Sequence, residues 1–273
     1  MTLMPRVTSG WLALREAADA AARSAELVEL VRRSVGGAPS IVVHDLGCGT
    51  GSMGRWLAPR LPGPQRWVMH DRDQDLLELA TAGLVDRAAD GTPVIGETRP
   101  GDIADLTAAD FAGASLVTAS ALLDLLTEWE VGRIAAACAG AGCPALLTIS
   151  VVGRVDLTPA DPLDDVIASA FNAHQRRAVG DRELLGPDAV EVAVAAFAAW
   201  GMVTTVRPSP WCLGPDDAEL IADWLPDWLD AACLQRPELA GPAEAYERRR
   251  LTELARGALQ VVVHHDDLFA HRE

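Results

Sequence analysis

Residues 41–58 read IVVHDLGCGTGSMGRWLA. An apolar run ends in an acid, three glycines alternate with other residues, and a helix-like segment follows. A short apolar run of this kind is the pattern of a buried strand. Glycines at its end let the backbone turn tightly and approach a ligand before the helix begins. The acid and glycines spell D-x-G-x-G-x-G at Asp45, Gly47, Gly49 and Gly51. The dinucleotide fingerprint G-x-G-x-x-G needs its third glycine at position 52, where Ser52 stands. The phosphate-loop pattern needs a Lys-Ser or Lys-Thr pair, and all 23 basic side chains of this chain are arginine. Both phosphate readings weaken together. An amino-acid head group attached to a nucleoside fits better. Its carboxylate suits the N-terminus of the following helix, and its ammonium suits the acid before the loop, directly or through water.

Outward from this stretch, strands alternate with helices. Strands are expected at 41–44, 66–70, 94–98, 115–119, 145–152, 202–206 and 259–264, the third weakened by Gly96. Helices are expected at 52–60, 76–82, 130–139 and 188–200, with one amphipathic helix over 11–35 ended by Gly36 and Gly37. Such alternation predicts a parallel, doubly wound α/β sheet. Two connections, 153–187 and 208–257, exceed the usual α/β loop of about 2–6 residues. At the carboxyl ends of strands, long connections cover the ligand crevice. The chain therefore reads as one domain over 1–273, with an N-terminal helical segment (1–38), a ligand-binding half (39–152) and two helical lid insertions.

Two further acids fall at strand ends. Asp71 closes the second strand in RWVMHDRDQDLLELA and is placed to accept both ribose hydroxyls. Asp102, in PGDIADL, follows the third strand and is placed to accept from the exocyclic amine of adenine. Together with Asp45, the three acids read amine, ribose and base in order.

With these residues in view, the sequence resembles the class I, Rossmann-like S-adenosylmethionine-dependent methyltransferases. DLGCGTG looks like that family's first motif, Asp71 with LLELA like its second-strand motif, Gly101-Asp102 like its adenine-side motif, and SLVTASALLDLL (115–126) like its fourth-strand segment. The resemblance covers residues 40–150 well, and 188–265 only through strand order. It implies a seven-stranded sheet whose last strand is antiparallel, S-adenosyl-L-methionine as cofactor, and Asp45, Gly47, Cys48, Gly49, Gly51, Asp71, Arg72, Asp102, Ile103 and Ser120 as its contacts.

Composition bounds the partners. A formal net charge of −16 repels phosphate backbones, which disfavours a nucleic-acid substrate. The segment after the fourth strand reads ASALLD, not the Asn/Asp-Pro-Pro-Tyr-like motif of amine methylation on bases. Cys143-Pro144 is in the wrong order and place for a pyrimidine nucleophile. A small-molecule acceptor is the better expectation. Five cysteines without a C-x-x-C pair signal neither a disulfide framework nor zinc, and no metal is expected. No apolar run reaches a membrane span. The expectation is a cytoplasmic bacterial protein, from a high-GC genome given its arginine-only basic set, acting as a monomer or homodimer.

Candidate acceptor-side residues are fewer. Asp124 follows the fourth strand as a base or hydrogen-bond acceptor, or else as an ordinary helix-start acid. His174, in the first insertion, is a candidate general base sharing a helix face with Phe171, or else a surface histidine. Arg176 and Arg177 suit an acidic substrate group or a solvated face, and Arg248, Arg249 and Arg250 read as a solvated face. The stripe Leu220, Ile221, Trp224, Leu225, Trp228 reads as lid core, as an aromatic cover over a flat acceptor, or as a dimer contact, with Pro226 expected to kink or break its helix. Three functional alternatives stay open: non-methylating or structural use of the cofactor on the same fold comes first, and a nicotinamide oxidoreductase, which Ser52 disfavours, second. A non-catalytic interaction module is the third.

Overall fold

The computed structural model describes residues 7–272; the ends of the expected 1–38 segment and of the 1–273 domain, residues 1–6 and 273, lie outside the described residues. The chain opens with α1 (Ser9–Ala22) and α2 (Ala25–Val35) and continues through β1 (Ile41–Leu46), α3 (Ser52–Leu57), β2 (Gln65–Asp71), α4 (Gln74–Gly83), β3 (Val94–Pro100), β4 (Leu116–Ser120) and α5 (Glu128–Ala141). Then follow β5 (Ala145–Thr158), α6 (Asp164–Gln175), a short hairpin β6 (Ala178–Val179) and β7 (Arg182–Glu183), and α7 (Ala189–Ala199). The last part holds β8 (Val203–Pro208), β9 (Trp211–Leu213), α8 (Ala218–Gln235), α9 (Ala240–Ala255) and β10 (Gln260–His271).

The main sheet runs β3-β2-β1-β4-β5-β10-β8, with β9 paired to β10 beside this path. Its β3, β2, β1, β4 and β5 pair in parallel, whereas β10 is antiparallel to both β5 and β8. This is the doubly wound sheet with an antiparallel last strand that the resemblance implies, plus β9 as an eighth strand. The weak third strand is real. Gly96 is small there because a Cβ would meet Leu84 at 2.9 Å and Met69 at 3.0 Å. The order places the switch between β1 and β4, where crossovers diverge and a crevice opens at the strand carboxyl ends.

The expected helix over 11–35 is two helices. The break falls at Arg23, whose ψ of 135° is extended. Ser24 caps α2 by accepting from the Leu27 N–H, and its own N–H donates to Asp267 Oδ2 at 2.7 Å. Asp267 sits where the β10–β5 register shifts, and its Oδ1 accepts from the N–H of Ile149, a β-branched residue at φ 56°. One carboxylate thus ties the helix joint to the strand irregularity.

Burial separates three large cores, the third packing α2 and α3 on the sheet around Val31, Trp56 and Trp67. One lies between α5, α7 and the sheet. The second joins the far half of β5 and the start of β10 to α6, α8 and α9, and contains Trp211, Trp224, Trp228 and Tyr246. The first insertion is therefore strand before it is helix, since β5 continues to Thr158. The helix holding Pro226 does not break there: α8 runs from Ala218 to Gln235. A mid-helix proline costs about 3 kcal/mol, but the buried side chains on both sides of Pro226 pack into one core, which outweighs it. The stripe is core, with Trp224 and Trp228 stacked at 5.1 Å.

Candidate functional site

The glycine loop leaves β1 with Gly47, Gly49 and Gly51 all at positive φ (58°, 53° and 83°). At Gly51 glycine is required twice: the conformation is left-handed, and a Cβ would lie 3.1 Å from Ala80 Cα of α4. Most of the loop's backbone donors are already used. The Cys48 N–H donates to His70 O, the Gly51 N–H to Cys48 O, and the Gly49 N–H to Asp71 Oδ2 at 3.0 Å. A phosphate cradle needs such donors free. The geometry therefore agrees with Ser52 in disfavouring a pyrophosphate.

Asp45 lies at the carboxyl end of β1, 1% exposed. Its Oδ1 accepts from the Thr118 hydroxyl at 2.7 Å, while its Oδ2 is buried with no partner among the described residues. Burial pushes its carboxyl up to about 7, against the Thr118 hydrogen bond and the Arg23 charge. Asp71, half-buried at the end of β2, accepts from Gly49 and also from the Asp73 N–H at 2.9 Å. Asp102 is exposed after β3, with Oδ1 accepting from the Ala104 N–H. Ile103 packs on the α5 side of the core, and Arg72 is exposed beside Asp71. The Cys48 thiol is buried and pushed up by that burial, so its part in the loop is backbone shape rather than thiolate chemistry.

Sequence reasoning missed the roof of this loop. Helix α1 lies across it: a Cβ on Gly49 would meet Leu12 at 3.0 Å, as one on Gly47 would meet Leu122. Arg55 of α3 grips Glu16 of α1 through two hydrogen bonds of 2.7 and 2.6 Å and also bonds the Thr50 carbonyl. Arg15 holds Asp19 bidentately at 3.0 and 3.1 Å and lies 4.9 Å above the Trp211 ring, whose Nε1–H donates to Asp19. Arg23, 4% exposed, donates through Nη2 to Ser52 and Ser120. An i, i+4 pattern of Arg15 and Asp19 was the one signal available, and it reads as an ordinary surface pair.

On the acceptor side, Asp124 is half-buried in the turn after β4; burial raises its carboxyl, and the nearby Arg15 charge opposes this. His174 occupies the last turn of α6, its imidazole lowered by burial and then by Arg177. No hydrogen bond joins Asp124 to His174 among the described residues. Arg176 pairs with Asp188 at the surface. The hairpin β6–β7 clasps the Asp124 turn, because Arg182 donates to Leu125 O and to Glu130. A groove of about 1,040 Å³ lies outside this clasp, lined by Trp129, Arg133 and Leu185 among others, and no glycine-loop residue borders it.

Beneath the loop, His44 Nδ1 and His70 Nε2 lie 3.0 Å apart, both 3% exposed. Burial lowers each imidazole to about 4, helped by His70 at His44 and by Arg99 at both. A base whose folded pKa lies below its unfolded value of about 6.5 stabilises the fold fully above that value. This stabilisation is lost as pH falls from about 6.5 to about 4. Asp45 has the opposite sign, losing stability as pH rises from 3.8 to about 7, so a residue-resolved readout is required. In an NMR pH titration, the His44 and His70 ring signals are expected to show neutral imidazoles at pH 5.5. Midpoints near 6.5 for both would refute the buried pair.

Strand order, glycine loop and strand-end acids now stand together. The chain has a Rossmann-like, doubly wound α/β fold with an antiparallel last strand. No family model matches it, and no curated protein does. Among solved structures, it is similar to the cyclopropane synthase MmaA2 from Mycobacterium tuberculosis (13% identity over 90% of this chain and 83% of that one, TM-score 0.48). It is similar also to a SAM-dependent methyltransferase from Geobacter sulfurreducens in complex with S-adenosyl-L-homocysteine (15%, 99% and 100%, TM-score 0.46). A third is a geranyl diphosphate methyltransferase in complex with SAM (14%, 98% and 93%, TM-score 0.45). Among the described residues, no helix is long and apolar enough to cross a membrane.

Proposed function

We propose that this protein binds S-adenosyl-L-methionine and transfers its methyl group to a small-molecule acceptor. The observation that carries the reading is Asp45 Oδ2, a buried carboxylate oxygen with no partner at the mouth of a glycine loop that has few free backbone donors. A buried unpaired acceptor is costly, and an ammonium satisfies it where a phosphate would be repelled. Asp71 retains lone pairs beyond its two backbone bonds to accept ribose hydroxyls, and Asp102 stands at the adenine end.

Bound there, the cofactor supplies a methyl group already activated on a sulfonium. The work left to the chain is positioning and the exclusion of water. Helix α1 roofs the loop, and the second core holds α1 against β9 through Asp19 and Trp211. Asp124 is the carboxyl we assign to the acceptor side, accepting a proton or a hydrogen bond from the nucleophile. His174 is a second candidate base, its lowered imidazole keeping an unprotonated nitrogen at neutral pH. The acceptor is a small molecule, the protein works in the cytoplasm, and neither nucleic acid nor membrane is a partner.

Calorimetric titration with S-adenosylhomocysteine beside NADH tests the reading. Saturable binding of the first and none of the second is expected. Because the ammonium requires ionised Asp45, affinity should rise between pH 6 and 8, by at most about tenfold per pH unit below 7. At pH 6.5, binding should release protons, seen as a dependence of the binding heat on buffer ionisation enthalpy. NADH binding without S-adenosylhomocysteine binding would overturn the proposal.

A further inference from the structure

We infer that Arg23, which lies outside the glycine motif, is the receptor for the carboxylate of the cofactor's amino-acid group and so selects ligands that carry one. The inference rests on the adenosylmethionine reading above. The N-terminus of α3, the place the motif suggests for that carboxylate, is poorly suited to it. Helix α3 has only six residues, Ser52–Leu57, and three backbone donors of the loop leading into it are already bonded. An anion arriving here needs another donor.

Arg23 is that donor by elimination. Of the arginines packed around the loop, Arg55 is engaged bidentately by Glu16 and Arg15 by Asp19. Among the described residues, Arg23 has no carboxylate partner. Its Nη2 donates to the hydroxyls of Ser52 at 3.1 Å and Ser120 at 3.0 Å, and its plane lies 5.3 Å from the Trp56 ring. Its Nε and Nη1 are buried without partners. The acids in its field are committed elsewhere: Asp19 to Arg15 and Trp211, Asp267 to the N–H groups of Ser24 and Ile149, and Asp45 to Thr118 through one oxygen. A guanidinium fixed through Nη2 by two serines between the end of β4 and the start of α3, with the N–H groups of Nη1 left, is placed to donate to one oxygen of a carboxylate. Asp45 Oδ2 and Arg23 Nη1 then make a complementary pair for a zwitterion, one unpaired atom for each charge.

The test is a cycle of two ligands and two proteins. S-adenosylhomocysteine and its decarboxylated analogue, 5′-(3-aminopropylthio)adenosine, differ only in the carboxylate. The wild type should bind the first about 10- to 100-fold more tightly, as expected for a charge-assisted contact with a buried arginine. In Arg23→Gln the preference should fall below about threefold, with affinity for the analogue little changed. Arg23→Lys, which keeps the charge but not the planar guanidinium that the two serines hold, should retain a reduced preference, and it carries the cycle if the Gln variant does not fold. A wild type that binds both ligands equally, or a variant that loses both alike, would overturn the role of Arg23 while leaving the cofactor reading intact. Binding of neither ligand by the wild type overturns both.

Discussion

Replacing Asp71 by Ala is expected to weaken S-adenosylhomocysteine binding by at least about 100-fold, or about 2.7 kcal/mol. Two losses combine. Asp71 Oδ2 accepts the Gly49 N–H, so truncation releases a loop donor at the point where the backbone is in the left-handed region. An orphaned donor costs about 1–3 kcal/mol where it is shielded from water. The carboxylate is also the acid at the end of β2 that the proposed reading assigns to the ribose hydroxyls, through charge-assisted bonds. Asp71→Asn keeps an acceptor oxygen without the charge and should lie between. Calorimetry separates binding from folding when thermal unfolding is followed on the same samples. A variant that melts like the wild type and loses less than about threefold in affinity would remove Asp71 from the site.

The largest stability effect is expected far from the loop, at Arg250. Its side chain is 1% exposed and donates to the Pro159 carbonyl at 2.6 Å, Asp164 Oδ1 at 2.6 Å and Glu253 Oε2 at 2.8 Å. The Tyr246 ring lies 4.9 Å from its guanidinium carbon, and the Tyr246 hydroxyl donates to the same Asp164 oxygen. Arg250→Met removes the cation and leaves Asp164 and a carbonyl buried without it. Breaking a buried pair in this way costs about 3–5 kcal/mol, which for a chain of this size lowers the melting temperature by about 6–15 °C. Asp164 begins α6 and Arg250 belongs to α9, so the loss should loosen the insertion core. Arg250→Lys should recover only part, because an ammonium cannot reach three acceptors in a fork geometry. A fall of less than about 2 °C would mean that the network contributes little.

Arg250 shows where reading the sequence fails. In ERRRLTELA the three arginines are indistinguishable, and a solvated face is the natural reading for all. Arg248 is exposed, Arg249 reaches Asp161 at the surface, and Arg250 alone turns into the core. What separates them is the rotation of α9 against α6, a fact about packing that no local pattern carries. Arg23 fails in the same way. Within the apparent continuous helix of 11–35 it looks like one more polar residue, and only the joint made by Ser24 and Asp267 turns it inward.

Local chemistry, by contrast, was legible. Asp45, Gly47, Gly49 and Gly51 followed an apolar run because left-handed turns and close helix packing admit glycine there and little else. Seven strands could be placed because a sheet covered on both faces demands unbroken apolar runs. The sequence alone thereby determined that the sheet is doubly wound, where the loop lies and which three acids end strands, all set by periodicity and short-range backbone conformation. The tertiary structure alone decided that α1 roofs the loop, that the tryptophan stripe is core, and that Arg23 and Asp45 are buried beside the loop with atoms unpaired among the described residues. Those outcomes depend on contacts between segments far apart in the chain, such as Arg23 with Ser120 and Ser24 with Asp267. Such contacts have no period and no spacing, so they exist only once the sheet has brought their elements together.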